Sequence, residues 1–82
     1  MKTNTTLNRA ILEVVENQLR DLNPPETKEA YDRLTAGGCS DQEARSLIGC
    51  IVASEMFDIL NNLEPYNHER FVTALRRLPE LP

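Results

Sequence analysis

The stretch SDQEARSLIGCIVASEMFDILNNL, Ser40 to Leu63, decides the fold. It opens on Ser40-Asp41-Gln42-Glu43, a capping box: a serine at the cap and, three residues on, a glutamate able to bond the cap's own N–H. Apolar residues follow at once at helical spacing. Wound at about 100° per residue, the segment carries two apolar stripes. One collects Ala44, Leu47, Ile48, Ile51, Val52, Ile59 and Leu63. The other, on the opposite side, collects Cys50, Ala53, Phe57 and Leu60. A helix apolar on both sides is buried, or is shared between two contacts. Two arrangements are open. Helices one and four could cover one stripe and helix two part of the other. Alternatively, a second copy of the chain covers the second stripe, with Cys50, Ala53, Phe57 and Leu60 as the interface.

Working outward, the punctuation predicts four helices, at about 6–22, 24–36, 41–63 and 68–78, with the third long and central. In the first, Leu7, Ile11, Val14, Val15, Leu19 and Leu22 recur at spacings of three and four. Asn23-Pro24-Pro25-Glu26 ends it, because a residue preceding proline is driven from the α region. The same residues are expected to start helix two, with Asn23 as cap and Pro24 first in the helix. Ala30, Tyr31 and Leu34 form its apolar face, and Gly37-Gly38 stops it through a left-handed glycine. Asn67 caps helix four, Tyr66 and Phe71 are placed for a hydrophobic staple, and Phe71, Val72, Leu75 and Leu78 face inward. No segment alternates with period two, so no sheet is expected.

The chain has 82 residues and a net charge of −4, enough for one helical domain with a small core. The acidic balance argues against nucleic-acid binding, which needs a basic footprint. Cys39 and Cys50 are separated by about 16 Å of helix rise, too far for a disulfide, so free thiols in a reducing, cytoplasmic setting are expected. Met1 to Thr6 reads as polar, not as a targeting signal. The longest apolar run, Ile48 to Ala53, falls well short of a membrane span of about 20 residues.

Few residues are candidates for chemistry. Glu55 lies on the first stripe between Ile51 and Ile59. A carboxylate there must be paired, hydrogen-bonded or protonated, and arginines on helices one, two and four are candidate partners. A paired structural acid is the expectation; a ligand or general base is the alternative. Cys39, just before a helix N-terminus, is expected to pack beneath the capping box. His68, the only histidine, cannot by itself supply a histidine-rich metal site. Arg70, Arg76 and Arg77 give helix four a modestly basic side, read as a solvated face. No triad order or phosphate loop is present.

Val14-Val15-Glu16-Asn17-Gln18, Pro24-Pro25, Arg33-Leu34 with Gly37-Gly38, and Glu43-Ala44 through Ile48-Gly49 to Phe57-Asp58-Ile59-Leu60 resemble a small helical bacterial domain family of uncharacterised function. The resemblance runs from about Leu7 to Leu60. It implies the helical fold. It also implies a bundle metal site, since members carry histidines one turn apart early in the long helix and further ones in the first helix beside the glutamate matching Glu16. In this chain Gln42 and Ser46 stand at the first pair of positions, and Leu7, Asn8 and Leu12 in the first-helix region. Only Glu16 and Glu55 remain as hard ligands, a poor transition-metal set.

The expectation is therefore a non-enzymatic module without cofactor or metal, whose partner is itself or another protein. The alternative is a small-ligand or degenerate metal-binding domain centred on Glu16 and Glu55.

Overall fold

A computed structural model describes residues 5–81. Residues 1–4 of the polar N-terminal stretch, and Pro82, lie outside it. The fold is all-α: α1 (Thr5–Asp21), α2 (Pro25–Ala36), α3 (Asp41–Asn62) and α4 (His68–Arg77). The third helix is the longest, and α1, α2 and α4 all pack on it. The core is Val15 of α1, Ala30 and Leu34 of α2, Ala44, Ile48, Ile51 and Val52 of α3, and Phe71, Leu75 and Leu78 at α4. Among the described residues, no helix is long and apolar enough to cross a membrane.

The start of α3 follows from its sequence. Ser40 Oγ accepts from the Glu43 N–H at 3.0 Å, and Glu43 Oε1 accepts from the Ser40 N–H at 2.8 Å. Asn67 caps α4 in the same way, its Oδ1 accepting the Arg70 N–H at 2.9 Å. Tyr66 stands against Phe71 with ring centroids 6.1 Å apart, the expected staple. The C-terminus of α2 closes as a Schellman turn: Cys39 N–H donates to Leu34 O and Gly38 N–H to Thr35 O. Gly38 supplies the positive φ, +111°.

Helix two starts one residue later than expected. Pro24, not Asn23, is its cap, Pro25 opens the helix, and no side chain caps it. The two prolines have no N–H to satisfy, so a side-chain cap has less to do. Asn23 instead closes α1, donating its N–H to Gln18 O at 3.2 Å. The first helix also buries less than its periodicity suggests. Val15 is buried and Ile11 and Leu19 pack against the core, whereas Leu7, Val14 and Leu22 are exposed. Leu22 follows the last helical residue in a left-handed conformation, φ 52°, which takes it out of register with the helical stripe. Leu63 is likewise left-handed, φ 53°, and exposed, not part of the first stripe.

Polar contacts between elements tie the helices together. Thr27 is fully buried, and its hydroxyl donates to Gln18 Oε1 at 2.8 Å, linking α2 to α1. Arg33 of α2 donates to Leu78 O at 2.6 Å and to Leu75 O at 3.3 Å. A cation is thereby fixed at the C-terminal, negative end of α4. Tyr31 of α2 donates to Asp41 Oδ1 at 2.6 Å, at the first turn of α3. That bond, with help from Arg45, holds the Asp41 carboxyl below the usual carboxylate range.

Leu63 yields a stability prediction. A non-glycine residue in the left-handed region costs about 1–2 kcal/mol, and glycine offsets this with a greater entropy loss on folding of roughly half that size. Leu63 is 89% exposed, so its side chain contributes little packing. Leu63→Gly is expected to stabilise the fold by about 0.5–1 kcal/mol, raising Tm by a few degrees in a domain of this size. A thermal scan at low protein concentration checks it; a lower Tm would contradict the strain argument.

Candidate functional site

The two stripes of α3 have different fates. The first is the core: Ala44, Ile48, Ile51 and Val52 are buried, with Leu47 and Ile59 partly covered. The second stays open. Helix two packs on the core side and leaves Cys50 exposed, Ala53 half-buried, Phe57 65% exposed and Leu60 73% exposed. Ala53 and Cys50 border a shallow groove between α1 and α3, whose α1 wall is Asn8, Ile11 and Leu12. Gly49 forms the floor: a Cβ there would meet Ile11 Cγ2 at 3.3 Å and Leu12 Cδ2 at 3.9 Å. Glycine at this position sets the close approach of the two helices.

Glu55 is buried on the core stripe, 6% exposed. Its partner is Arg70 of α4, in a bidentate pair: Nε donates to Oε1 at 3.0 Å and Nη2 to Oε2 at 2.9 Å. The Asn67 N–H also donates to Oε2 at 3.0 Å. The bonds from Arg70 hold the Glu55 carboxyl below the usual carboxylate range; burial opposes them, and the Asn67 N–H adds to them. Arg70 reaches further acids, with Nη1 donating to Glu64 Oε1 at 3.1 Å and Nε lying 3.7 Å from Asp58 Oδ2. Glu55, Asp58 and Glu64 together raise its already high pKa. Every strong bond of Glu55 is thus engaged within the fold, the geometry of a clasp between α3 and the start of α4.

Glu16 and Glu55 do not form one site. Glu16 is exposed at a groove between α1 and the first turns of α3, lined also by Asn8, Leu12, Gln42 and Ser46. Of the positions singled out by the resemblance, Asn8, Leu12, Glu16, Gln42 and Ser46 line this groove, and Leu7 does not. Their chemistry in this chain is amide, hydroxyl and leucine beside a single matching glutamate. Glu13, Asp41, Arg9 and Arg45 line the same groove, and Arg45 is paired with Asp41 at 2.9 Å, so its charges are mixed and no carboxylate cluster forms. Among the described residues no group of three or more His, Cys, Asp or Glu could hold a metal ion.

The remaining candidates are accounted for locally. Cys39 is half-buried against the core beside the Schellman turn. His68 is exposed, with Nδ1 3.0 Å from the Tyr66 hydroxyl. Arg76 and Arg77 are exposed in the last turn of α4. Sequence reasoning missed the Thr27–Gln18 bond and the Arg33 bonds to the end of α4. Both link residues on different helices, and neither side chain stands out by type or spacing. No protein-family model matches the chain, nor does any curated protein or solved structure.

Proposed function

We propose that this domain is a non-enzymatic binding module whose working surface is the open stripe of α3, Cys50, Ala53, Phe57 and Leu60. One observation carries the reading: in a chain with only four aromatic residues, Phe57 stands 65% exposed beside Leu60 at 73%, along one helix face. Scattered exposed leucines are ordinary, whereas a contiguous apolar strip with an aromatic at its centre is the usual composition of a protein-docking surface. The alternative of a ligand site shared by Glu16 and Glu55 gains no support, since Glu55 is saturated by Arg70 and Asn67 and Glu16 lies at another groove.

A photo-crosslinking amino acid at position 57 tests the reading, with the same group at Thr73, an exposed residue of α4, as control. In expressing cells, position 57 is expected to give a discrete protein adduct that position 73 does not. Equal labelling at both positions, or none at 57, would remove the proposal.

A further inference from the structure

We infer that the occupant of the open α3 stripe is a second copy of this chain, packed across a twofold axis with the two α3 helices antiparallel. The inference rests on the docking reading above and names its partner.

Spacing is the first support. Ser46, Cys50, Ala53, Phe57 and Leu60 alternate steps of four and three along α3, the repeat of a helix–helix seam in which side-chain knobs enter holes of the facing helix. Shape is the second. The N-terminal half of the seam is a hole: Gly49 at the floor, Cys50 and Ala53 on one side, Leu12 on the other. The C-terminal half is knobs, Phe57 and Leu60. Hole and knob lie two turns apart, about 10.5 Å along the axis. An antiparallel pair centred between Ala53 and Ser54 sets each Phe57 against the other copy's Cys50 and each Leu60 near its Ser46. Both holes are then filled at once by the same contact made twice, as a twofold interface requires. A parallel pair would stack Phe57 on Phe57 and leave both holes empty.

Charge is the third support. From Ser46 to Leu63 the only charged residues are Glu55 and Asp58, and Arg70 lies 2.9 Å from the first and 3.7 Å from the second. A chain of net charge −4 repels its copy over most of its surface. On this face no like charges meet, and a charged partner finds nothing to pair with. The available area is small. Leu12, Met56, Phe57 and Leu60 are 44%, 38%, 65% and 73% exposed, giving of the order of 500 Å² of seam per protomer and roughly 1,000 Å² per pair, the lower end of specific interfaces. An area of that size belongs with weak, reversible association, and its strength rests on how well Phe57 is seated.

Sedimentation of the purified full chain from about 1 to about 300 µM, spanning the dissociation constants of such interfaces, tests this. A reversible monomer–dimer equilibrium is expected. Phe57→Glu should weaken it at least about thirtyfold, the loss of a central anchor, with an unchanged Tm at the lowest concentration because Phe57 is outside the core. Orientation is read separately in Phe57→Cys with Cys39→Ser, oxidised with diamide: the antiparallel seam gives a 50–57 disulfide between chains on peptide mapping. A monomer at every concentration, or links mainly between two residues 57, overturns the inference. If the chain is monomeric yet the crosslinker at position 57 captures a different protein, only the second copy is excluded. If it is monomeric and nothing is captured, the docking reading falls too.

Discussion

Arg70→Leu should cost this domain about 2–4 kcal/mol, a large fraction of the roughly 4–12 kcal/mol expected for a chain of its length. Removing Arg70 leaves the Glu55 carboxylate buried with only the Asn67 N–H as a partner. An uncompensated buried charge is among the few mechanisms by which one substitution unfolds a small protein. The figure sits toward the low side of buried-pair losses because the Arg70 side chain is itself 36% exposed. Combining Arg70→Leu with Glu55→Leu should recover part of the loss, since neither charge then remains unpaired. Urea unfolding of the single and double variants measures both effects; a double variant as unstable as the sum of its singles would refute the coupling.

The pH dependence of the same comparison has a definite sign. In the native chain the folded Glu55 carboxyl lies below its unfolded value. Its contribution is fully present above that unfolded value, about 4.3, and is lost as pH falls through the folded one. Arg70→Leu removes the largest cause of the depression and leaves burial, which favours the protonated acid and outweighs the remaining Asn67 N–H bond. The variant should thus gain from protonation where the native chain loses. The stability gap between them is expected to be widest near neutral pH and to narrow toward about pH 4; a gap independent of pH would mean that Glu55 is not the group responsible.

The second large effect separates the two faces of α3. Ile51 and Leu60 are equally apolar in the sequence, yet Ile51 is 1% exposed and Leu60 73%. Ile51→Ala is expected to cost about 2–5 kcal/mol through lost burial and the cavity left behind, whereas Leu60→Ala should stay within about 0.5 kcal/mol. Both are measured at low micromolar concentration, where self-association contributes least. A loss at Leu60 comparable with that at Ile51 would place the second stripe inside the protomer.

The contrast shows what the residues could and could not disclose. Caps were legible because they are local: Ser40 with Glu43, and Asn67 with Arg70, satisfy each other within three residues. The two stripes were legible because helical period alone separates them. Which stripe is covered was not, since that depends on the side from which α2 approaches, a question of interhelical packing. The partner of Glu55 was narrowed only to an arginine on one of three helices, because Arg70 reaches it through the reversal at Leu63–Asn67. The displaced start of α2 turned on two adjacent prolines, either of which suits an early position. Leu7, Val14 and Leu22 were misread because period marks a stripe but not where along a helix its neighbours stop covering it.

The clasp at Glu55 also bears on how the chain finds this arrangement. Its bonds join residues only 12 and 15 apart in sequence, so closing that loop sacrifices little chain entropy. The α3–α4 hairpin can therefore assemble from nearby contacts alone. By contrast, Arg33 meets the end of α4 across 45 residues and depends on a longer search. The most extensive helix packing, α1 on α3, joins residues such as Ile11 and Gly49 that lie far apart in sequence, so the clasp is the local exception among these contacts. The α3–α4 hairpin is therefore expected to close before the end of α2 reaches Leu75 and Leu78.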